Sequence, residues 1–253
     1  YECYYTTYLV KKNNWSKMKF LSPAKLNLNL RVISKRNDGY HNLETTFQLI
    51  NLFDEISFEE SDKSFGISCD GLDIEPENNL IFKSLNAITK YCNVDKGIQI
   101  HLKKIIPAGA GLGGGSSNAA TTLIALNKIW DLNLSTEELV DIGKGLGADV
   151  PIFIYGKNAV ATGIGDVLSD IEFKKNKYFL IYPDIEVSTS EMFGKLKIHE
   201  LDPKHQNSFL DTLLKEYKSI EEFYKSFVSD YDLKLSGTGS TFFIEYDDKD
   251  ELG

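Results

Sequence analysis

From Lys25 to Ile33 apolar and polar side chains alternate without a fault, with Leu26, Leu28, Leu30 and Val32 in one phase and Lys25, Asn27, Asn29 and Arg31 in the other. A strand sends successive side chains to opposite faces, so this run predicts a half-buried strand that presents Lys25 and Asn27 together on its polar side. Asn37-Asp38-Gly39 is a turn signal, and a second strand pattern follows from about Thr45 to Glu59. Residues 79–92 carry Leu80, Ser84, Leu85 and Ile88 at helical spacing. Period-two alternation returns in Ile98, Ile100 and Leu102, within a strand expected over Gly97–Ile106. Ala119, Leu123, Leu126 and Trp130 share one face of a helix expected to begin near Ser116. Ser135-Thr136-Glu137-Glu138 is a capping box, opening a helix with Leu139, Ile142 and Leu146 in register that stops at Gly147, with Pro151 close behind. Lys177–Tyr182 is a further strand and Ser208–Phe227 an amphipathic helix. Leu233–Tyr246 is a strand pair, or a strand, broken by Ser236-Gly237-Thr238-Gly239-Ser240. Strands and helices mix without strict alternation, which predicts an α+β fold.

One stretch fits none of these patterns. Of the nine residues Pro107 to Gly115, five are glycine, and they lie between a strand and a helix. Glycine loses the most conformational freedom on folding, so a cluster is expected where backbone bends tightly or approaches something closely. A loop leading into a helix N-terminus also presents unpaired N–H groups and the positive end of a dipole, which together suit an anion. Gly109-x-Gly111-x-x-Gly114 formally matches the dinucleotide fingerprint, but it comes late in the chain and Pro107 and the extra glycines fit that motif badly. A Walker loop is excluded, since no Gly-Lys-Ser/Thr is present. By itself the loop is compatible with a dinucleotide enzyme, a kinase or a structural turn.

Composition narrows the partners. The 253 residues are 42% hydrophobic and 26% charged, with a net charge of −9, which opposes a general nucleic-acid or anionic-membrane surface. No apolar run is long enough to cross a membrane. Cys3, Cys69 and Cys92 are widely spaced and lack metal-site spacing, as expected of a reduced, cytoplasmic protein. Residues 1–17 lack the pattern of a secretory signal, and Met18 stands just before the first well-patterned strand. That segment is expected to be an extension without an assignable role.

Pro107 through Ala120 resembles the ATP-binding motif of the GHMP small-molecule kinases, a phosphate loop unlike the Walker type. Ser22-Pro23-Ala24-Lys25-Leu26-Asn27-Leu28, Arg36-x-Asp38-Gly39-Tyr40-His41, Leu146-Gly147-Ala148-Asp149-Val150-Pro151 and the Ser236–Ser240 glycine motif resemble one branch of that superfamily. Its members phosphorylate the 2-hydroxyl of 4-diphosphocytidyl-2-C-methyl-D-erythritol in non-mevalonate isoprenoid biosynthesis. The resemblance implies a two-domain α+β fold. Residues 18–160 would form a ribosomal-protein-S5-like ATP-binding and catalytic domain, and 161–253 a ferredoxin-like C-terminal domain. Family members continue beyond this chain's end, so that second domain is expected to be incomplete.

The same resemblance distributes roles. Taken alone, Asp149 is also compatible with a helix-end turn residue; the family pattern makes it the base for the substrate hydroxyl. A carboxylate is a weak base toward an alcohol, so in a largely dissociative phosphoryl transfer it chiefly orients the hydroxyl and takes its proton late. Lys25, otherwise readable as a solvated strand lysine, becomes its electrostatic partner. ATP would be held by Pro107, Ala108, Gly109, Ala110, Gly111, Leu112, Gly113, Gly114, Gly115, Ser116 and Ser117, with Asn79 and Leu80 beside the adenine and ribose. Lys104 contacts the nucleotide, its neighbour Lys103 being the rival for that role. The substrate's cytidine end falls to Tyr40, His41 and Phe193 and its phosphate region to Thr189, while Asn27 contacts the substrate near Lys25 and Gly237 and Gly239 also line the substrate. Tyr40 and Phe193 would stack on the two faces of the base. Mg²⁺ is implied as the companion of ATP, with no dedicated protein ligand in the sequence. A GHMP kinase for another alcohol, such as mevalonate or homoserine, and a non-catalytic nucleotide-binding homologue are the alternatives. A monomer and a homodimer are both compatible.

Overall fold

The computed structural model describes residues 8–12, 15–70, 79–172, 176–202 and 205–246. Cys3 and much of the expected 1–17 extension, positions 1–7 and 13–14, lie outside the described residues. In chain order the elements are β1 (Tyr8–Lys12), β2 (Trp15–Lys35), β3 (His41–Ser61), β4 (Phe65–Cys69), α1 (Leu80–Cys92), β5 (Gly97–Lys103), α2 (Gly114–Ile129), α3 (Thr136–Lys144) and α4 (Val150–Tyr155). They continue as β6 (Ala159–Thr162), β7 (Val167–Asp170), β8 (Lys177–Ile181), α5 (Thr189–Lys195), α6 (Leu210–Glu216), α7 (Lys218–Phe227), β9 (Lys234–Leu235) and β10 (Phe242–Tyr246). They build two compact units interleaved in sequence. One holds the chain up to Ala24, Leu49–Pro107 and Gly113–Lys157; the other holds Lys25–Gln48, Ala108–Leu112 and the chain from Asn158 onward.

In the first unit, β5 pairs antiparallel with the end of β3, from Glu55↔Lys103 to Ser61↔Gly97, and parallel with β4, from Phe65↔Ile98 to Cys69↔Leu102. Ile98, Ile100 and Leu102 are buried, as their alternation requires, beside Ile56 and Phe58 from β3. Phe20 meets Phe58 edge to face, with ring centroids 5.5 Å apart. Burying one such side chain contributes about 1.5–3 kcal/mol. α2 packs against α1 and α4. It is buried on most sides from Ser117 to Leu126, where Ala119, Ala120, Thr121, Thr122 and Ala125 keep its girth small. Asn79 caps α1 by accepting from Ile81 N at 2.9 Å, and the Ser135–Glu138 capping box opens α3 as expected.

The expectation at Pro151 is corrected. α3 ends at Lys144, and Pro151 then lies in the first turn of α4 instead of marking the end of helix. A proline fits there because the first N–H groups of a helix have no intrahelical partner to lose.

In the second unit β10 lies between β8 and β9, antiparallel to both, and β6 pairs with Thr45–Phe47 of β3 and with β7. Leu30, Val32, Leu43, Val187, Met192, Phe209, Leu213, Ile220, Leu235, Phe242 and Ile244 form its core. The single helix expected over Ser208–Phe227 is two, α6 and α7, separated by Tyr217, whose φ of −120° and ψ of 91° are extended. Positions 213, 217, 220, 224 and 227 keep helical spacing across the break, so periodicity is blind to it. The half-buried strand expected at Lys25–Ile33 also needs correction. β2 is longer, and Lys25 and Asn27 are as buried as Leu26, at 2% and 3% exposure.

Candidate functional site

In the first unit the glycine stretch runs into α2. Gly113 is the N-cap with a left-handed φ of 72°, and no side chain caps the helix. No acidic residue occupies its first turn, so the amides and dipole of a 16-residue helix remain available to an anion. Gly115 is exposed and Ser116 half-buried, whereas Ser117 is enclosed. Its amide donates to Gly113 O at 2.9 Å and its hydroxyl accepts from Ser22 Oγ at 2.8 Å.

Behind that first turn lies a carboxylate absent from the sequence expectations. Asp54 is fully buried in β3. Its Oδ1 accepts from the Ile105 and Ile106 amides at 2.7 and 2.8 Å, and its Oδ2 accepts from Lys104 Nζ at 2.7 Å and Asn118 Nδ2 at 2.9 Å. Asn118 also donates to Ser22 Oγ at 3.0 Å. Lys104, with a second bond to Ile106 O at 2.6 Å, is therefore the fixed lysine of its pair; Lys103 is exposed and lies 3.7 Å from Glu55. A Cβ on Gly114 would come within 2.8 Å of Lys104 Nζ, so the ammonium rests against the start of α2 and would have to shift to admit a side chain there. Asp54 shares its phase with buried Ile56 and Phe58; an acid on the apolar side of a strand was the available signal.

Asp149 is the N-cap residue of α4, half-buried, without a side-chain capping bond. Asn79 is at the start of α1 with Leu80, whose Cδ1 would be 3.5 Å from a Cβ on Gly115. Leu80 and the helix start of α2 are thus neighbours, while Pro107 follows directly on the Asp54-bound segment. Among the described residues no group of three His, Cys, Asp or Glu side chains is placed to hold a metal ion.

In the second unit the carbonyls of residues 109–112 all accept bonds inside the fold. Gly109 O takes Val187 N at 2.9 Å, Ala110 O takes Thr241 N at 3.1 Å, and Leu112 O takes Lys25 N at 3.0 Å. Gly111 O takes Lys25 Nζ at 2.9 Å and Ser236 Oγ at 3.1 Å. In a trans peptide the next N–H points opposite to the carbonyl, so the amides of Ala110, Gly111 and Leu112 turn away from these partners. Successive backbone amides can build an anion site; of these residues Gly111 is half-buried, whereas Ala110 and Leu112 are buried. Ala108 and Gly109 are exposed. Gly111 needs its glycine for contact as well as for its φ of 75°: a Cβ there would lie 2.3 Å from Ser236 O and 2.9 Å from Gly239 O.

The Lys25 ammonium also donates to Asn27 Oδ1 and lies 5.8 Å from the Phe47 ring centroid. Asn27 in turn donates through Nδ2 to Thr45 Oγ1 at 2.7 Å and through its backbone to Ser236 Oγ at 3.2 Å. Gly237, with φ of 61°, is closely approached: a Cβ would sit 3.1 Å from Gly111 O and 3.3 Å from Asn27 Oδ1. Asn207 fastens this loop by donating to the carbonyls of Leu235 and Gly237. The structure so brings Lys25, Asn27, Gly111, Gly237 and Gly239 together, through Ser236, which the sequence offers within a glycine motif but without a role, and Asn207, which sequence reasoning passed over. Both are polar residues next to glycine or an apolar helix start, a pattern too common to single them out.

The aromatic expectations divide. His41 is buried and its ring is 5.3 Å from that of Phe193, which stands edge-on to Phe209 at 4.7 Å. Burial pushes the His41 imidazole below its ordinary value of 6.5, and the Lys35 charge acts in the same direction. Tyr40 is 59% exposed, at the end of a turn in which Asp38 accepts from its amide at 3.1 Å and pairs with Arg36. Thr189, exposed at the start of α5, reaches Thr238 Oγ1 at 3.1 Å.

Comparison with known proteins adds kinship to this geometry. Residues 79–157 match the family model of the GHMP kinases N terminal domain. A 4-diphosphocytidyl-2-C-methyl-D-erythritol kinase of Acinetobacter baylyi is 39% identical over 242 residues, covering 90% of this chain and 87% of its own length. The enzyme of that name from Francisella tularensis is 40% identical over 247 residues, covering 92% and 89%. A solved structure of 4-(cytidine 5'-diphospho)-2C-methyl-D-erythritol kinase matches with a TM-score of 0.77 at 28% identity, over 90% of this chain and 89% of that one. Methanococcus jannaschii mevalonate kinase, at 15% identity and a TM-score of 0.65 over 93% and 92%, shares the fold alone.

Proposed function

Because the chain belongs to the 4-diphosphocytidyl-2-C-methyl-D-erythritol kinases, a branch of the GHMP kinases, we propose that it transfers the terminal phosphoryl group of ATP to the 2-hydroxyl of that cytidyl alcohol, in non-mevalonate isoprenoid biosynthesis. The observation that carries this reading is identity of about two residues in five across nine-tenths of the chain to kinases of that name. The geometry of each unit supports it. In the first unit the open start of α2 suits phosphate oxygens and Lys104 adds a fixed cation; in the second the half-buried Gly111 keeps its backbone clear of any side chain. Residues 18–160 and 161–253 remain our proposed division into family domains.

Asp149 is the proposed base. It orients the acceptor hydroxyl and takes its proton as the new P–O bond forms; the proton leaves on the carboxylate, and the leaving group is ADP. Lys25, anchored by Gly111 O and Asn27 Oδ1, supplies an ammonium whose position is fixed before substrate arrives, which is what makes a charge effective in a transition state. Tyr40 and Phe193 are proposed to grip the cytosine, with His41 behind Phe193 as a neutral ring. Mg²⁺ belongs to the proposal as the partner of ATP. Asp54 is closed to it by four donors, so the ion would be carried by the phosphate oxygens of ATP. When bound it offsets phosphate charge. The free thiols of Cys69 and Cys92 suit a reducing compartment, and we assign the enzyme to the cytoplasm on that ground.

The test is a coupled ADP-release assay with ATP and the cytidyl alcohol, run against mevalonate and homoserine. Turnover is expected with the first alcohol only. Asp149→Asn should lower kcat at least about a hundredfold while both KM values stay near wild type. Near-normal turnover in that variant removes Asp149 from the mechanism, and a preference for either other alcohol replaces the assigned substrate.

A further inference from the structure

Asp54 is a fully buried charge that takes no part in the chemistry described above. Taking a carboxylate out of water costs several kcal/mol, and four short hydrogen bonds are what offset it. These bonds come from the segment entering the glycine stretch, Lys104 to Ile106, and from Asn118 in the second turn of α2. An ammonium has three donors. Lys104 spends one on Asp54 and one on Ile106 O, in a position where its nitrogen rests against Gly114. The first turn of α2 begins beside that nitrogen, which has one donor left to offer a ligand. The geometry points to Asp54 as a positioning residue of the ATP site: its carboxylate holds the Lys104 ammonium against the start of α2, so that the lysine and the helix amides meet the nucleotide as one surface. This rests on the ATP reading of that helix start.

Two effects oppose one another if the carboxylate is made an amide. Losing a negative charge strengthens the pull of the region on phosphate. Losing the acceptor releases the lysine. The second wins, because in Asp54→Asn the one remaining side-chain oxygen would have to stay on the Ile105 and Ile106 amides. That turns the new NH₂ group toward Lys104 Nζ and Asn118 Nδ2, donor against donor.

The experiment measures KM for ATP, KM for the cytidyl alcohol, kcat, thermal midpoint and ADP affinity by calorimetry. It uses the full chain carrying Asp54→Asn, Lys104→Met and both changes together. Asp54→Asn should raise KM for ATP and weaken ADP by about tenfold, the loss of one charge-assisted contact, with KM for the alcohol unchanged. The double variant should bind ATP no worse than Lys104→Met alone, since Asp54 acts through the lysine. A drop in thermal midpoint with both KM values unmoved, a fall in KM for ATP, or additive losses in the double variant would each overturn the proposal. If Asp54→Asn does not fold, Gly114→Ala keeps the question open to measurement. Its methyl would displace Lys104 while suiting a helix, and its ATP defect should shrink in the Lys104→Met background; an undiminished defect there overturns the proposal. Absence of ATP turnover in the unmodified enzyme would instead refute the kinase reading itself.

Discussion

Gly113–Ser117 and Ala108–Leu112 are adjacent in sequence but are fastened by different physics. The first segment is held through charge: a buried carboxylate, an ammonium and an asparagine behind α2. The second, in the other unit, is held chiefly by close approach of backbone to backbone, with Gly111 against Ser236 and Gly239, while the Ser236 hydroxyl and the Lys25 ammonium share the Gly111 carbonyl. A charged anchor depends on every donor being present, and fails when one partner is lost. A close-packed anchor depends on the absence of atoms, and fails when one is added. Each segment therefore has its own characteristic weak point, a deletion in one and an insertion in the other.

The largest effect is expected where an atom is added. Gly111→Ala places a methyl 2.3 Å from a carbonyl oxygen, on a backbone with positive φ. A loss of roughly 3–5 kcal/mol should follow, a thermal shift of about 10 °C. Hydrogen exchange would sharpen the contrast: the Thr241 and Val187 amides, bonded to Ala110 O and Gly109 O, should lose protection while those of α2 keep theirs. Equal loss in α2 would end the distinction between the two anchors.

A smaller effect is expected from Ser236→Ala, which removes the acceptor of Asn27 N and a donor to Gly111 O at a fully buried site. Denaturant titration should show about 1–3 kcal/mol lost, and kcat should fall more than ATP affinity, because Lys25 shares the Gly111 carbonyl. Unchanged stability would mean that close packing alone suffices.

The smallest effect concerns His41. Its folded value lies below 6.5, so the unfolded chain binds the proton more readily. Its stabilising contribution is complete above the unfolded value and is lost as pH falls through the lowered folded one. Between pH 7 and 5 the thermal midpoint of His41→Phe should fall less than that of the unmodified protein, by at most about 3 °C. Parallel curves would show that the buried ring does not contribute.

These contrasts are only partly legible in the sequence. Alternation locates β2, the inward residues of β5 and the buried face of α2, because periodicity reports which residues share a side. It says nothing of what covers the polar side, so it places Lys25 and Asn27 on a half-exposed face, whereas Thr45, Ser236 and Gly111 enclose them. Kinship with a family motif supplies Asp149, yet a proline soon after a helix reads as a terminator, which conceals α4. Asp54 stands beside Glu55 in one strand; only phase separates the fully buried acid from the half-buried one. The glycines at 109, 111 and 237 are legible as glycine-rich loops, whereas the reason for each lies in segments more than 70 residues away.

The bonds around Asp54 join residues 50 to 64 positions apart, and Asn118 reaches Ser22 across 96. Contacts so distant form only after long loops have closed, so a growing chain cannot complete this cluster until Asn118 has been added. No stretch ending before Asn118 contains it. A nucleotide that binds there recognises copies in which these contacts have formed and ignores those in which they have not, drawing the population toward the native state by mass action. On our reading, the co-substrate would thus act first as a selector of properly folded enzyme, and only afterwards as a source of phosphate.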